Sequence, residues 1–409
     1  MSNTLKFGNG EWYGKEGTIL AYNDLNSNYK PLPFEFERPG TATRVNKQGL
    51  IEVVGNNEPR IDYKDNSEGA LLLEPQRTNL LPYSENFNNA YWTKSGVSVV
   101  DGFLSPKGDL SAYKLIESNT NAKHQVFRAN AFASSTEYTY SFFAKKGERN
   151  FVSYIFSGVT NTSSVYFDLE NGVIGSTNAV PSMTLINQSI EPYGNDWFRC
   201  SLTFTQAVNT SVSIAVSDQD YGASEPTYQG DGTSGVYIWG AQLEQGSYAT
   251  SYIPTSGGIA TRTAEQNNLS NINHLIAANQ GSWFLDWGIA NSDTRDNSDI
   301  GFELSSDNNR DELNFSIGAD GNMRMFVRAD NNYNQKYSTI NKSGKWCLIW
   351  NGTSLKLFQD GLQVYSDENA LVYNNYTTYN MLPNIQYKLN NTQIFNVALT
   401  DAEAIALTS

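Results

Sequence analysis

The chain has 409 residues, 39% hydrophobic and only 17% charged, with 13% aromatics and a net charge of −14. That length exceeds one ordinary core, and the aromatic content excludes a disordered chain. The acidity argues against nucleic acid and against docking on anionic lipid, and no apolar run approaches the roughly 20 residues of a membrane helix.

The N-terminus, "MSNTLKFGNGEWYG", has neither a basic nor an apolar stretch, so no signal peptide is expected. The first 80 residues have short apolar pieces broken by Pro, Gly and Asn, with strands expected at 49–54 and 70–73. Strands so short do not bury a core alone, so residues 1–80 are read as an attachment segment that packs on a neighbour or on copies of itself.

From residue 81 the pattern becomes regular. Tyr138, Tyr140 and Phe142 share one face by alternation, and Asn171-Gly172 marks a two-residue hairpin with positive φ at both positions. "DWFRCSLTFTQ", "TSVSIAVSD" and "GVYIWGAQLE" supply further strands. Strands at this spacing with no intervening helix predict an antiparallel jelly-roll sandwich over 81–256. "YIPTSGGIATRTAEQNN", with Pro254 and the Gly257-Gly258 pair, reads as a boundary. A second β-sandwich is expected over 265–409, with hairpins at Asp320-Gly321 and Asp360-Gly361. Thr400 and Glu403 form a Thr-x-x-Glu capping box that opens one short terminal helix. The fold class is therefore all-β: two antiparallel sandwiches behind a small irregular N-terminal segment.

Few residues invite chemistry. The two histidines, His124 and His274, have no second ligand at metal spacing and no Gly-x-Ser-x-Gly elbow nearby, so they read as packing or surface groups. No Gly-rich phosphate loop precedes a helix. Cys200 and Cys347 each sit in an apolar strand beside a Trp and read as buried free thiols. Acids clustered in turns, "DTRDNSD" and "SDQDYG", suit Asx turns, with a structural calcium as the other reading and no ligands named. The nearest approach to a strand of alternating carboxylates, "FELSSDNNRDEL", does not match the glucanase spacing. The expectation is therefore a non-enzyme without a cofactor.

The aromatics remain. Trp346 and Trp350 share a face with Leu348 and read as core. The Tyr/Asn loops "NNYNQKY" and "VYNNYTTYN" pair flat contact area with adaptable hydrogen bonds. Tyr333, Tyr337, Tyr373 and Tyr376 are accordingly the expected ligand contacts.

Three stretches carry a resemblance. "GALLLEPQRTNLLPYSENFNNAYWTKSGVSVVDG" resembles the opening of a carbohydrate-binding-module-like domain found in many bacteriophage tail proteins, and "YSFFAKKGER", "WFRCSLTF" and "IWGAQLEQGSYATSYIPT" are similar to its later strands. Upstream, "FERPGTATRVNKQGLIEVVGNNEPRIDY" resembles the region preceding that domain in phage fibres. "SLKLFQDGLQV" and "IFNVALTDAEAIAL" are similar to laminin-G-like, concanavalin A-like sandwiches. The resemblance implies a virion surface protein, a tail fibre or other appendage. It would be a homotrimer held among other virion proteins, assembled in the host cytoplasm and acting on host cell-surface polysaccharide. It also implies that Trp239 closes the core instead of lining a site. The alternatives are an architectural head, collar or tail decoration without a ligand, and a polysaccharide depolymerase.

Overall fold

The computed structural model describes residues 4–8, 12–23, 30–130, 132–157, 162–178, 183–206, 210–222, 224–276, 279–291, 299–306, 311–318, 320–329, 332–339, 341–370, 376–382 and 386–409. The chain is all-β and antiparallel, and it forms two compact units. Residues 48–52 and 77–262 make one; residues 1–47, 53–76 and 263–409 make the other.

The central unit is a sandwich of two six-stranded sheets. One sheet runs Thr93–Ser95, His124–Asn130, Thr210–Ser217, Phe151–Ser157, Thr162–Asp168 and Val173–Asn178. The other runs Val97–Phe103, Ala112–Glu117, Gly235–Gln245, Glu137–Lys146, Trp197–Gln206 and Met183–Tyr193. Alternation sends Tyr138, Tyr140 and Phe142 into the core between them, as expected, together with Val152 and Tyr154.

The strand Gly235–Gln245 shows how local sequence sets this packing. Val236 and Ile238 face the core, and so do Ala241 and Leu243. The change of phase falls at Gly240, which has φ +60° where the register against Glu137–Lys146 shifts. A bulge there re-aims every later side chain. Trp239, Gln242 and Glu244 point the other way, and the tail of the same segment folds back over them. Tyr252 lies 4.5 Å from the Trp239 ring, Ile253 N–H donates to Gln242 Oε1 at 2.6 Å, and Thr250 N–H donates to Glu244 Oε2 at 3.0 Å. Trp239 is wholly buried and donates from Nε1 to Ser111 Oγ at 3.0 Å. It belongs to the structure of the unit.

The second unit is also layered. One layer pairs, in order, Tyr13–Lys15, Thr18–Asn23, Lys30–Glu37, Gln266–Ser270, Thr378–Met381, Asp299–Ser305, Glu312–Ile317, Met323–Ala329 and Asn332–Thr339. The facing layer pairs Thr4–Gly8, Gln386–Phe395, Gln280–Asn291, Ser343–Asn351, Ser354–Gln359 and Leu362–Asp367. Tryptophans of the facing layer meet aromatics of the first: Trp283 with Phe315 at 5.5 Å and Trp287 with Phe302 at 4.8 Å. Trp346, Leu348 and Trp350 all lie in this core. Thr400 and Glu403 cap the helix Asp401–Thr408 reciprocally, as the sequence predicts.

The first 80 residues depart from expectation. They do not stand apart as a separate segment, because Thr4–Gly8, Thr18–Asn23 and Lys30–Glu37 are strands of the layers just described and Ala70–Leu73 pairs with Gln386–Phe395. The physical reason is the one that made them look weak: strands this short need partners, and strands 263–409 provide them.

Buried charge fastens this arrangement. Arg60 reaches both oxygens of Glu265 at 2.5 Å and Glu74 Oε2 at 2.9 Å. Arg38 Nη1 adds a contact to Glu265 Oε1 at 3.2 Å, and Gln386 Nε2 donates to Glu74 Oε1 at 2.5 Å. All four charged side chains have no exposure. Arg38, Arg60 and Glu74 thus have a structural role.

The hairpins differ in type. Asp360-Gly361 is the two-residue turn expected, with φ +46° and +80° and Gln359 opposite Leu362. Asn171-Gly172 is not: Asp168 pairs with Val173, and only Gly172 has positive φ. The Asp168 carboxylate accepts the N–H groups of Glu170 and Asn171, which stabilises the longer turn.

Candidate functional site

In the first layer of the second unit, one side of each strand faces the core and the other carries polar groups. Phe34 and Phe36 are core, and Glu35 and Glu37 between and beyond them are exposed. The same alternation holds in Phe302-Glu303-Leu304, Leu313-Asn314-Phe315 and Tyr379-Asn380-Met381. Register brings these polar residues into one row. Glu35 opposes Asn268, Asn268 opposes Asn380, Asn380 opposes Glu303, Glu303 opposes Asn314, and Asn314 opposes Phe326. Asn380 Nδ2 donates to Glu303 Oε1 at 3.2 Å along the row. Asn268, Asn380, Glu303 and Phe326 are half-buried.

A second row lies beside it: Ser270 opposes Thr378, Thr378 opposes Ser305, Ser305 opposes Glu312, and Glu312 opposes Arg328. Glu312 and Glu303 are thus diagonal neighbours on one face. Burial raises the Glu312 carboxyl above its ordinary range, and the nearby Glu303 charge raises it further. The amide of Asn314 and Arg328 Nη1, 3.4 Å from Oε2, oppose this without overcoming it. Glu312 is only 5% exposed.

At the Glu35 end the face opens into a cleft of about 310 Å³. Glu35, Asn268 and Ser270 line one side, and the chain then enters a short turn through Asn271, whose φ is +61°. His274 Nδ1 lies 2.7 Å from the Asn271 carbonyl oxygen. Because a carbonyl only accepts, Nδ1 carries a proton, and in the neutral imidazole Nε2 is the acceptor. Ile272 and Leu275 back the cleft from within the core.

Of the expected tyrosine contacts, Tyr337 and Tyr376 have described side chains. Tyr376 has no exposure, and its ring meets Trp350 edge-on at 6.2 Å. An aromatic that large stabilises more by filling the core than by standing in solvent, so it is corrected from a contact to a core residue. Burial pushes its hydroxyl well above the usual tyrosine range, helped by Asp311 and Glu312. Tyr337 is half-buried opposite Met325 on the core side, beside Trp346 at 6.4 Å and Tyr365 at 6.3 Å. Tyr333 sits in the strand Asn332–Thr339 opposite Arg328, and its side chain lies outside the described part. Tyr373 lies outside the described residues. The polar rows, absent from the sequence reading, were signalled by Glu and Asn at every second position of "FEFE", "FELS", "ELNFS" and "TYNM".

The remaining candidates settle as structural groups. His124 is buried, with Nδ1 2.6 Å from Gly96 O and Nε2 3.2 Å from Tyr228 O. Cys200 and Cys347 are buried free thiols. Asp220 accepts Gly222 N–H and Ser176 N–H, the turn role expected of it. Among the described residues no three His, Cys, Asp or Glu side chains are placed to hold a metal ion, and no helix is long and apolar enough to cross a membrane.

No protein-family model matches the chain, and no curated protein does. Among solved structures it is similar to domain 4 of the arabinanase AbnA from Geobacillus stearothermophilus in complex with arabinotriose. The identity is 15% and the TM-score 0.31, over 40% of this chain and 83% of that one. It is similar to the CBM40 of the Ruminococcus gnavus IT-sialidase bound to α2,3-sialyllactose, at 16% identity and TM-score 0.25, over 32% and 84%. Trypanosoma rangeli sialidase aligns over 96% and 81% at 12% identity and TM-score 0.27. Likeness at this level leaves function to be argued from the chain's own residues.

Proposed function

We propose that the chain is a bacteriophage virion surface protein that contacts host-surface glycans through a non-catalytic β-sandwich face. The observation that carries the glycan contact is the polar row from Glu35 to Phe326 on the side of the sheet away from the core. Exposed Glu35 and half-buried Asn268, Asn380 and Glu303, with Phe326 beyond the buried Asn314, match hydroxyl-rich ligands that also present an apolar C–H face. The virion assignment is supported by the sequence resemblance, and it carries the homotrimer and the neighbouring virion proteins with it. The contact surface moves from the tyrosine loops to the polar row.

The diagonal carboxylates Glu303 and Glu312 favour a second reading, cleavage by an acid–base pair. Against it, a carboxylate 5% exposed and held by Asn314 and Arg328 does not reach a glycosidic oxygen.

Adsorption of labelled native protein to host cells, with and without soluble host polysaccharide, tests the proposal. Saturable binding that the polysaccharide abolishes is expected. No binding from folded protein would leave the architectural decoration, and release of new reducing ends that Glu303→Gln abolishes would establish the depolymerase.

A further inference from the structure

We infer that the cleft beside Glu35 takes a pyranose bearing a free amino group, so that the polar face selects hexosamine-containing glycans over acidic ones. This rests on the glycan-contact reading and names the ligand class within it. The volume, about 310 Å³, falls at the lower end of small-ligand sites and suits one or two sugar rings.

The chemistry of the lining is one-sided. Glu35 is exposed within the cleft, and among the described residues no Lys or Arg pairs with it. The His274 tautomer fixed by the Asn271 carbonyl presents Nε2 as a second acceptor. Asn268 and Ser270 can donate or accept, and no cationic residue lines the wall. The site therefore has more acceptors than donors, and its complement is a ligand rich in donors. Hydroxyls meet that need, and an ammonium group meets it with charge-assisted hydrogen bonds about twice as strong as neutral ones. Glu37 lies two residues along the same strand, opposite Gln266, and keeps the approach negative. A uronate or sialate would bring its carboxylate against Glu35 with no cation to receive it. Ile272 is buried behind the wall, so the polar lining and not an apolar contact carries the selection.

Isothermal titration of the full chain at pH 7 with three trisaccharides tests this: glucosamine, N-acetylglucosamine and galacturonate. The glucosamine trimer is expected to bind at least tenfold more tightly than its acetylated counterpart, with no binding of the galacturonate. Glu35→Gln should remove that tenfold preference, which corresponds to about 1.4 kcal/mol. His274→Ala should weaken both amino and acetylated trimers. Glu368→Gln, exposed just after Leu362–Asp367 in the facing layer, should change nothing. Equal affinity for the first two sugars, or equal loss in Glu35→Gln and Glu368→Gln, overturns the inference but leaves a glycan-binding face. Tight galacturonate binding overturns it outright. If none of the three binds, the inference falls, and the adsorption assay alone decides the wider reading.

Discussion

Buried charge has opposite consequences at two glutamates. Glu265 answers two guanidinium groups, Arg60 through both oxygens and Arg38 through one, and it also accepts Glu74 N–H at 2.9 Å. Glu265→Gln leaves Arg38 buried without its carboxylate and Arg60 with Glu74 alone, and should cost about 3–5 kcal/mol of stability by urea denaturation. An unchanged midpoint would mean that the network is replaceable by neutral hydrogen bonds. Glu312 works the other way. Its carboxyl is raised by burial and by Glu303, so folding favours the protonated form. That stability is fully present below the ordinary glutamate range and is lost as pH rises through the raised value. Glu312→Gln keeps the uncharged shape, so it should be more stable than the natural chain at pH 7, with the advantage vanishing as pH is lowered through the glutamate range. Thermal melts at stepped pH read this directly, and an advantage that grows on acidification would refute it.

At the scale of single elements, the strand Gly235–Gln245 shows what one residue controls. Gly240 resets the alternation, and Trp239 just before it is sealed under the returning tail by Tyr252 and Phe143, whose ring lies 5.3 Å away. Trp239→Ala should therefore cost about 3–5 kcal/mol, measured by denaturation; a variant of unchanged stability would mean that the tail does not depend on this ring. Much of this level is legible in sequence, because alternation and capping are local. Tyr138, Tyr140 and Phe142, the Trp346/Leu348/Trp350 face, the Asp360-Gly361 turn and the Thr400 cap all follow from neighbours along the chain. Gly240's bulge and the four-residue turn after Asp168 do not. Both depend on which partner residue stands opposite, and pairing partners are remote in sequence. The same limit hid the site: alternate Glu and Asn can be read in "FEFE" and "TYNM", but that Glu35, Asn268, Asn380 and Glu303 fall in register cannot. The tyrosines misled because Asn-rich neighbours look like loop, whereas Trp350 stands over Tyr376 from a strand 26 residues earlier.

For the whole molecule the main consequence is that the unit containing the candidate face is discontinuous in sequence. Its polar row begins on Lys30–Glu37, and its core includes Leu5, Ile19, Phe34, Phe36, Leu71 and Leu73. Two of its buried cations, Arg38 and Arg60, come from the N-terminal side, while the carboxylate they share, Glu265, comes from the C-terminal side. A fragment of residues 265–409 should therefore not fold cooperatively: it keeps Glu265 without its arginines and exposes the edges that Thr4–Gly8 and Lys30–Glu37 pair with. Residues 77–262 hold both six-stranded sheets and their own core, so that fragment should give a cooperative melt and a dispersed amide spectrum alone. Adding a separate 1–76 peptide to the 265–409 fragment should restore structure if pairing and charge are what it lacks. A 265–409 fragment that melts cooperatively by itself would show instead that the N-terminal strands are an addition to a complete sandwich, and the 1–80 segment would then be free for attachment.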